Sequence, residues 1–175
     1  MASVERGVSS PERPASPANR FGWDYLSAAA QLGPPPVEII DAHTHIHGRQ
    51  ATPIYDRARR AFGVTRTYTM TQLPLAAPVR DHLGDSVRFI AIPTWGDADK
   101  HATHRHGYLR TMERFAEDFG SRMMKVWASP RLRDFVPDGA CDLADIDSPV
   151  RREHCRLAER LGMMHMVHVA DPDTW

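Results

Sequence analysis

Residues 37–48 read VEIIDAHTHIHG, an apolar run that leads into histidines at every second position. Side chains two residues apart in a β-strand point to the same side of the sheet. His43 and His45 are therefore expected to project together, with Cα atoms about 6.6 Å apart. Two imidazoles at that separation can bind one ion at roughly 2.0–2.1 Å each, so the pattern favours a metal site. Two hydrogen-bonded interior histidines are the alternative that the spacing leaves open.

Two further polar residues of this stretch, Asp41 and His47, lie at the same every-second positions as His43 and His45. His47 is expected beyond the end of the strand, next to Gly48, where alternation no longer holds. Asp41 lies one step deeper in the strand and has two interpretations. It either accepts a proton from a ligand histidine or fixes the local backbone.

The rest of the chain alternates between short apolar runs and amphipathic stretches. The apolar runs, which predict strands, cover 37–45, 64–70, 87–93, 122–128 and 163–170. The amphipathic stretches, which predict helices, cover 53–62, 74–83, 103–119 and 149–161, with a loop over 129–147. Strands that alternate with helices, without hairpin signals, favour an α/β fold with a parallel sheet. An open doubly wound sheet and a (β/α) barrel both satisfy this pattern.

The predicted helix that ends at Gly63 also has a defined start. Thr52 is expected to cap this helix, with Pro53 as its first helical residue. Ile54 and Ala58 are then expected on the side of the helix that faces the sheet.

Two later runs supply further candidate site residues. His168 lies near the carboxyl end of the last run, where parallel α/β proteins form their sites, and is expected to be the third nitrogen ligand. His165 points to the opposite side and is expected to pack under helices. Lys125 could be a carbamylated bridging ligand, a cation for a substrate carboxylate, or a solvated lysine. Trp127 either stacks on a substrate ring or packs into the core.

Two more polar segments lie close to the expected mouth of the site. Arg49, directly after the histidine stretch, is expected to meet an anionic substrate. The stretch HATHRHG holds His101, His104 and His106. The three histidines are spaced neither four residues apart, as ligands on one helix would be, nor two residues apart throughout, as ligands on one strand would be. The stretch therefore predicts the solvated start of a helix.

The composition narrows the class of protein. The chain has 175 residues, with 22 Lys and Arg against 22 Asp and Glu, so its formal net charge is zero. This balance argues against a nucleic-acid partner. No apolar stretch approaches the roughly 20 residues of a membrane span and no secretory signal is recognisable, so a cytoplasmic location without membrane contact is expected. Cys141 and Cys155 form no CxxC pair and predict no disulfide framework.

The chain is expected to divide into two parts. Residues 1–36 predict a disordered arm, rich in Ser, Pro and charge, followed by a short helix. The helix, in FGWDYLSAAAQLG at 21–33, is expected to dock on the rest through a side that includes Trp23 and Ala30. Residues 37–175 then form the domain that carries the site.

Three segments resemble the amidohydrolase superfamily, in its amidohydrolase-related branch. VEIIDAHTHIHG is similar to the first-strand HxH signature, MMKVWASPRLRDF to the fourth-strand region, and MVHVADPDTW to the fifth-strand histidine segment. The resemblance implies a metal-bearing (β/α)8 barrel, of which residues 37–175 hold about the first five strand–helix units. It implies that His43 and His45 are first-strand ligands and that His168 is the fifth-strand ligand. Lys125 matches the carbamylated lysine of the two-metal members.

Members of this family also carry a histidine on strand 6 and an aspartate on strand 8, which usually handles the proton of the attacking water. The chain ends at Trp175, after the fifth predicted strand, so neither residue can be assigned. A full barrel has about 250 residues. The sequence is therefore expected to be the N-terminal portion of an enzyme, or a fragment of one.

The function expected from the resemblance is metal-dependent hydrolysis. A divalent metal, expected to be Zn²⁺, would activate water to attack an amide or ester-like carbonyl of a small molecule. Non-oxidative decarboxylation of a small carboxylic acid is the alternative that the family offers. A third interpretation is a catalytically incomplete half-barrel that binds metal weakly or associates with itself as a homo-oligomer. Two edges of its parallel sheet would be open.

Overall fold

The computed structural model describes residues 21–135 and 141–169. The strands are β1 Ile39–Thr44, β2 Val64–Thr69, β3 Val87–Phe89, β4 Met123–Trp127 and β5 Met164–His168. The helices are α1 Tyr25–Leu32, α2 Gly48–Ala61, α3 Leu73–Leu83, α4 Lys100–His104, α5 His106–Phe119, α6 Leu132–Phe135, α7 Cys141–Ala144 and α8 Pro149–Arg160. The predicted arm over 1–20, part of the predicted loop at 136–140 and the last residue of the strand predicted over 163–170 lie outside the described residues.

All paired strands run parallel, and their spatial order follows their order in the chain. One sheet has the order β1-β2-β3, and a second contains β4 and β5. A parallel bridge between Ala91 and Met124 joins the two sheets. There the Ala91 amide donates to the Met123 carbonyl at 2.8 Å, and the Lys125 amide donates to the Ala91 carbonyl at 2.9 Å. The predicted α/β class, with helices alternating with parallel strands, is confirmed.

The main core lies between the sheets and the helices that follow the strands. Strand side chains of alternating position meet the apolar side of α5, as its helical spacing predicts. The core includes Val87, Phe89, Met124, Val126, Tyr108, Met112, Phe115, Leu157 and Ala158. The opposite side of the sheets carries a smaller apolar cluster of Met70, Ile90 and Ile92, against which Met123 and Met166 pack. Apolar side chains therefore pack on both sides of the central part of the sheets.

Helix α2 begins earlier than predicted. It starts at Gly48, so Thr52 is not its cap. The Thr52 hydroxyl instead donates to the Gly48 carbonyl at 2.7 Å, within the helix. The expectation for Ile54 is also wrong, because its side chain is 60% exposed. The earlier start adds residues to the packed side, and Tyr55 contacts the core in place of Ile54.

The predicted helix over 103–119 is divided in two. Arg105 has φ −103° and ψ −107°, which ends α4 and allows α5 to begin at His106. His101 and His106 are exposed, as expected for a solvated start, but His104 is buried. Its ring packs edge-on against Trp95 with centroids 4.4 Å apart, and this contact removes it from water.

Two other expectations about burial are corrected. His165 is exposed rather than packed under helices. The short helix α1 forms as predicted, but Ala29 is its buried residue, whereas Ala30 is exposed and Trp23 is 63% exposed. Among residues 21–135 and 141–169, none of the helices combines the length and the apolar character that crossing a bilayer requires.

Candidate metal centre and substrate cavity

The histidines of β1 are held in place from the neighbouring strand. Buried hydroxyl groups at the end of β2 fix the backbone just after β1. The Ile46 amide donates to Thr69 Oγ1 at 3.1 Å, and Thr71 Oγ1 donates to the Ile46 carbonyl at 2.9 Å. The Met70 amide also donates to the Thr44 carbonyl at 2.9 Å. These bonds set the backbone between His43 and Ile46, which carries the two candidate ligands.

The spacing of His43 and His45 suits a shared ion. Their ring centroids lie 5.6 Å apart, with 46° between the ring planes. Two imidazoles that bind one ion tetrahedrally have centroids roughly 5–6 Å apart, since each metal–nitrogen bond is about 2.0–2.1 Å. The His47 ring lies 5.9 Å from that of His45, but His47 is outside the cavity that His43 and His45 line.

Burial and nearby positive charges favour the neutral form of the His43 and His45 imidazoles, which is the form that binds metals. Desolvation and then the Lys125 ammonium lower the pKa of His43, and His168 adds to this effect. Desolvation also lowers the pKa of His45, with contributions from His43 and His47. Only a neutral imidazole has a lone pair for a metal, so lowered pKa values favour binding at neutral pH.

Asp41 has the backbone role that was one of its two interpretations. Its Oδ1 accepts from the His43 amide at 3.2 Å, and its Oδ2 accepts from the Tyr55 hydroxyl at 2.8 Å. Tyr55 in turn shares a 2.7 Å hydrogen bond with Thr67. Asp41 therefore connects β1 to α2 and β2. Through the His43 amide it also helps to orient the first candidate ligand.

His43 and His45 open onto a cavity of about 530 Å³ at the carboxyl ends of the strands. This volume is within the usual range of small-molecule sites, about 300–1,000 Å³. The described lining consists of histidines, aromatic and aliphatic side chains and two other cations: His43, His45, Met70, Ile92, Trp95, Lys125, Trp127, Arg131, Phe135 and His168. None of these described lining residues is acidic, so the cavity favours an anionic or metal-bound molecule.

His168 reaches the same cavity from β5, but it is engaged with a neighbouring ring. It lies opposite Trp127 in the β4–β5 register. The two rings are stacked, with centroids 6.0 Å apart and 22° between their planes. Over residues 21–135 and 141–169, no group of three or more His, Cys, Asp or Glu side chains is arranged to hold a metal ion. His168 as the third ligand therefore stays a prediction.

Lys125 enters the cavity from β4, on the same side of the strand as Trp127. Its backbone is fixed by the buried Tyr108, whose hydroxyl lies 2.7 Å from the Lys125 carbonyl and accepts from the Lys125 amide at 3.1 Å. The same hydroxyl lies 2.8 Å from the Ala91 carbonyl of the neighbouring chain segment. Desolvation lowers the pKa of Lys125. In the part of the chain that the structure describes, its ammonium has no hydrogen-bonded or acidic partner.

Trp127 belongs to an aromatic cluster at the wall of the cavity. Its ring lies 5.4 Å from Trp95 and 6.0 Å from Phe135, and the latter two rings are 5.2 Å apart. The Trp127 indole N–H donates to the Ser129 hydroxyl. Its carbonyl accepts from the guanidinium of Arg151, a buried residue of α8, at 2.6 Å. Trp127 is thus fixed at both its backbone and its ring nitrogen.

Arg49 is not brought into this cavity. It lines a separate surface groove together with Thr52, Pro78, Asp81 and His82. The cause is the early start of α2, which places Arg49 on the surface of the helix instead of on a loop over the histidines. The structure thus does not bring Arg49 together with His43 and His45, and its contact with an anionic substrate stays a prediction.

Several residues that line the cavity, or that fix the backbone beside it, were not found from the sequence. Thr69 and Thr71 could have been noticed, because threonines at every second position of TRTYTMT follow one side of a strand. Trp95, Arg131 and Phe135 come from loops and a short helix, whose paths no periodic pattern fixes. Comparisons of this chain with protein-family models, curated proteins and solved structures found no match.

Proposed function

We propose that this chain forms the metal-binding part of a hydrolase of the amidohydrolase-related type, which acts on a small molecule in the cavity. The observation that carries the proposal is that side chains from three separate strands line the same cavity. His43 belongs to β1, Lys125 to β4 and His168 to β5, and all three line one cavity. Parallel α/β proteins form their sites at this end of their strands.

The proposal includes the architecture of a partial (β/α)8 barrel. Its support is the consecutive order of the strands, with β3 and β4 joined at Ala91 and Met124. A doubly wound sheet reverses direction at a switch point, so its strand order departs from the chain order. A barrel adds each strand beside the preceding one, as β1 to β5 do here.

In the mechanism, His43 and His45 would hold the metal, with His168 as the candidate third ligand. Zn²⁺, when bound in such a site, polarises a carbonyl and lowers the pKa of water to about 7. The aromatic cluster excludes bulk water from one wall of the cavity. Lys125 supplies positive charge next to the histidines and orients an electron-rich group of the substrate.

Metal analysis tests this proposal. We expect the purified chain, exchanged into zinc-containing buffer and then desalted, to retain zinc, and the His43→Ala/His45→Ala variant to lose it. The matched control is His165→Ala, which removes an exposed histidine outside the cavity. Zinc measured by mass spectrometry should fall at least tenfold in the double variant only. Equal zinc in all three proteins would contradict the assignment.

A metal-dependent decarboxylase of a small carboxylic acid is the second candidate function. The observation that favours it is the cationic and aromatic lining of the cavity, with Lys125 beside Trp127. A carboxylate can bind such a lining before it is released as carbon dioxide. Assays of candidate acids for evolved carbon dioxide, and of candidate amides and esters for hydrolysis, separate the two reactions.

An incomplete half-barrel without turnover is the third candidate. It is favoured by β1 and β5, which in the described residues each pair with a single strand. Gel filtration combined with zinc analysis and activity assays discriminates it. A zinc-bearing species with turnover supports an enzyme, whereas a zinc-free aggregate supports the inert half-barrel.

A further inference from the structure

The strand that carries His43 is irregular at this residue. The regular pairing of β1 with β2 is interrupted between Asp41 and Thr44, where two residues of β1 oppose a single residue of β2. Such a β-bulge disrupts the ladder locally and turns a side chain to a new direction. At this bulge the His43 amide binds a side chain, since it donates to Asp41 Oδ1 at 3.2 Å. The direction of this candidate ligand therefore depends on where the Asp41 carboxylate is held.

The Asp41 carboxylate is held by a hydroxyl group from helix α2. Its Oδ2 accepts from the Tyr55 hydroxyl at 2.8 Å, and the same hydroxyl lies 2.7 Å from Thr67 Oγ1. A phenol has one proton, and an ionised carboxylate only accepts. The Tyr55 proton therefore points to Asp41, and Thr67 is the donor of the second bond. Thr67 is fully buried and pairs with Asp41 in the β1–β2 register, so these bonds start from a fixed point.

Tyr55 is itself fixed and keeps its proton. Its ring packs against the main core, which leaves the hydroxyl little freedom. Desolvation, together with the Asp41 carboxylate, raises the pKa of Tyr55 to about 12, so the hydroxyl remains a donor at neutral pH. Tyr55 is not among the described residues that line the cavity, so it acts on the site through Asp41.

We propose that Tyr55 is a positioning residue for the metal centre: its hydroxyl holds the Asp41 carboxylate against the His43 amide and thereby directs the His43 ring towards the cavity. The proposal rests on the proposed function, since it assigns part of the metal affinity of the same site to a residue of α2. Without the hydroxyl the carboxylate is free to rotate, and the bulge at His43 loses its support. Groups that orient a metal ligand typically change metal affinity by about 10–100-fold when they are removed.

The test uses Tyr55→Phe in the complete chain, which removes the hydroxyl and keeps the ring in the core. We expect its zinc affinity, measured by competition with a chromophoric chelator, to fall about tenfold. With Co²⁺ in place of zinc, the visible absorption spectrum should change, because the position of the His43 ring changes. In the metal-free protein the amide proton of His43, observed by NMR, should shift upfield as its bond to Asp41 weakens.

The matched control is Tyr25→Phe, which makes the same chemical change on α1. The Tyr25 hydroxyl accepts from Arg57 Nε at 3.2 Å in an exposed position. Its removal should leave the zinc affinity, the Co²⁺ spectrum and the His43 amide proton as they are in the wild type.

Two variants of Thr67 separate positioning from packing. Thr67→Ser keeps the hydroxyl and loses volume, whereas Thr67→Val keeps the volume and loses the hydroxyl. If the hydrogen bonds direct His43, Thr67→Ser should retain the wild-type zinc affinity and Thr67→Val should lose several-fold. A purely structural role predicts the reverse order, because the smaller serine leaves a cavity at a fully buried position.

The outcomes distinguish this proposal from the proposed function. An unshifted His43 amide in Tyr55→Phe overturns the positioning role, and so does a zinc affinity equal to that of a zinc-binding wild type. Where Tyr55→Phe does not fold, the order of the two Thr67 variants decides in its place. A wild-type chain that binds no zinc overturns the proposed function, whereas the amide shift, which is measured without metal, then still decides whether Tyr55 directs His43.

Discussion

His104 and His154 show how strongly burial can lower the pKa of a single histidine. Their side chains are 2% and 0% exposed. Burial, assisted by the nearby Arg151, lowers the pKa of His104 to about 4, and burial is also the main reason that the pKa of His154 falls to about 4. His154 Nε2 lies 3.1 Å from the Arg105 carbonyl. Among the described residues, His154 Nδ1 and His104 Nε2 have no hydrogen-bond partner. Both rings are therefore neutral parts of the core.

This burial predicts a loss of stability in weak acid. The unfolded chain binds protons at a histidine pKa near 6.5, well above the folded value of about 4. The stability that comes from neutral His104 and His154 is complete above pH 6.5 and is lost as the pH falls towards 4. Each histidine contributes up to about 3 kcal/mol to this loss. Urea unfolding at pH 7.5 and pH 4.5 measures it.

Two substitutions check that prediction. His104→Phe should reduce the difference in the free energy of unfolding between the two pH values, because one titrating group is removed. His165→Ala, at an exposed position, should leave the difference as it is in the wild type. Lowered carboxyl pKa values, as at Asp56, act below the ordinary value of 3.8 and do not interfere. A pH dependence that is identical in His104→Phe and wild type would contradict the assignment.

The positions of individual residues also show how much of the candidate site the sequence can predict. Alternation along β1 was sufficient to place His43 beside His45, and alternation along β4 placed Lys125 beside Trp127, because a strand has a fixed period. The burial of His104 and the position of Arg49 outside the cavity were not foreseen, for a common reason. Each lies near the start of a helix, where the direction of a side chain depends on the exact helix start and on tertiary contacts.

Among the elements, the connection between α2 and β2 depends on one residue without a side chain. Gly63 has φ +69°, a conformation that residues with a side chain rarely adopt. A Cβ atom there would lie 2.6 Å from the Cδ and Cγ atoms of Pro35. The Pro34–Pro36 run therefore packs on the turn that brings the chain into β2.

Gly63→Ala is expected to destabilise the protein by more than the backbone conformation alone would cause. A left-handed residue other than glycine costs about 1–3 kcal/mol, and the contact with Pro35 adds to this. The matched control is Gly120→Ala, where φ is +61° and nothing lies within 4 Å of the added Cβ. Chemical denaturation of the two variants compares them. A smaller loss for Gly63→Ala than for Gly120→Ala would contradict the packing argument.

The elements themselves were predicted well where a period is sustained. α5, α8, β1, β2, β4 and β5 lie close to the predicted ranges, because their apolar residues repeat over several turns or alternations. β3 is shorter than predicted, since it covers only Val87–Phe89 of the range 87–93. The division of 103–119 at Arg105 and the short helices α6 and α7 were not predicted. Stretches of only four or five residues are too short for any period to show, and packing around Trp95 decides their conformation.

In the whole molecule, the two outer strands leave apolar side chains in contact with water. Ile39 and Ile40 of β1 are 37% and 45% exposed, and Met164 and Val167 of β5 are 63% and 40% exposed. Within the described residues these strands also have one edge each without a neighbouring strand. Exposed parallel edges with apolar side chains favour pairing with another chain.

We therefore expect the chain to associate with itself through β1 and β5. Sedimentation velocity at increasing concentrations should show species larger than a monomer. Met164→Lys/Val167→Lys should shift the distribution towards the monomer, since charge on an edge strand opposes pairing. Ile54→Lys is the matched control, as Ile54 is 60% exposed but lies on α2, away from both edges. The same distribution in wild type and the double variant would argue against association through β5.

The consecutive arrangement of β1 to β5 also bears on how the chain acquires its structure during synthesis. Each strand pairs with the one made just before it, and only β3 and β4 are linked through a single bridge. Because each strand joins one that was synthesised before it, a polypeptide leaving the ribosome can assemble this sheet one strand at a time. The cavity is the exception. It needs His43 from the earliest strand and His168 from the latest, so ligand binding by a nascent chain would begin only after β5 has emerged.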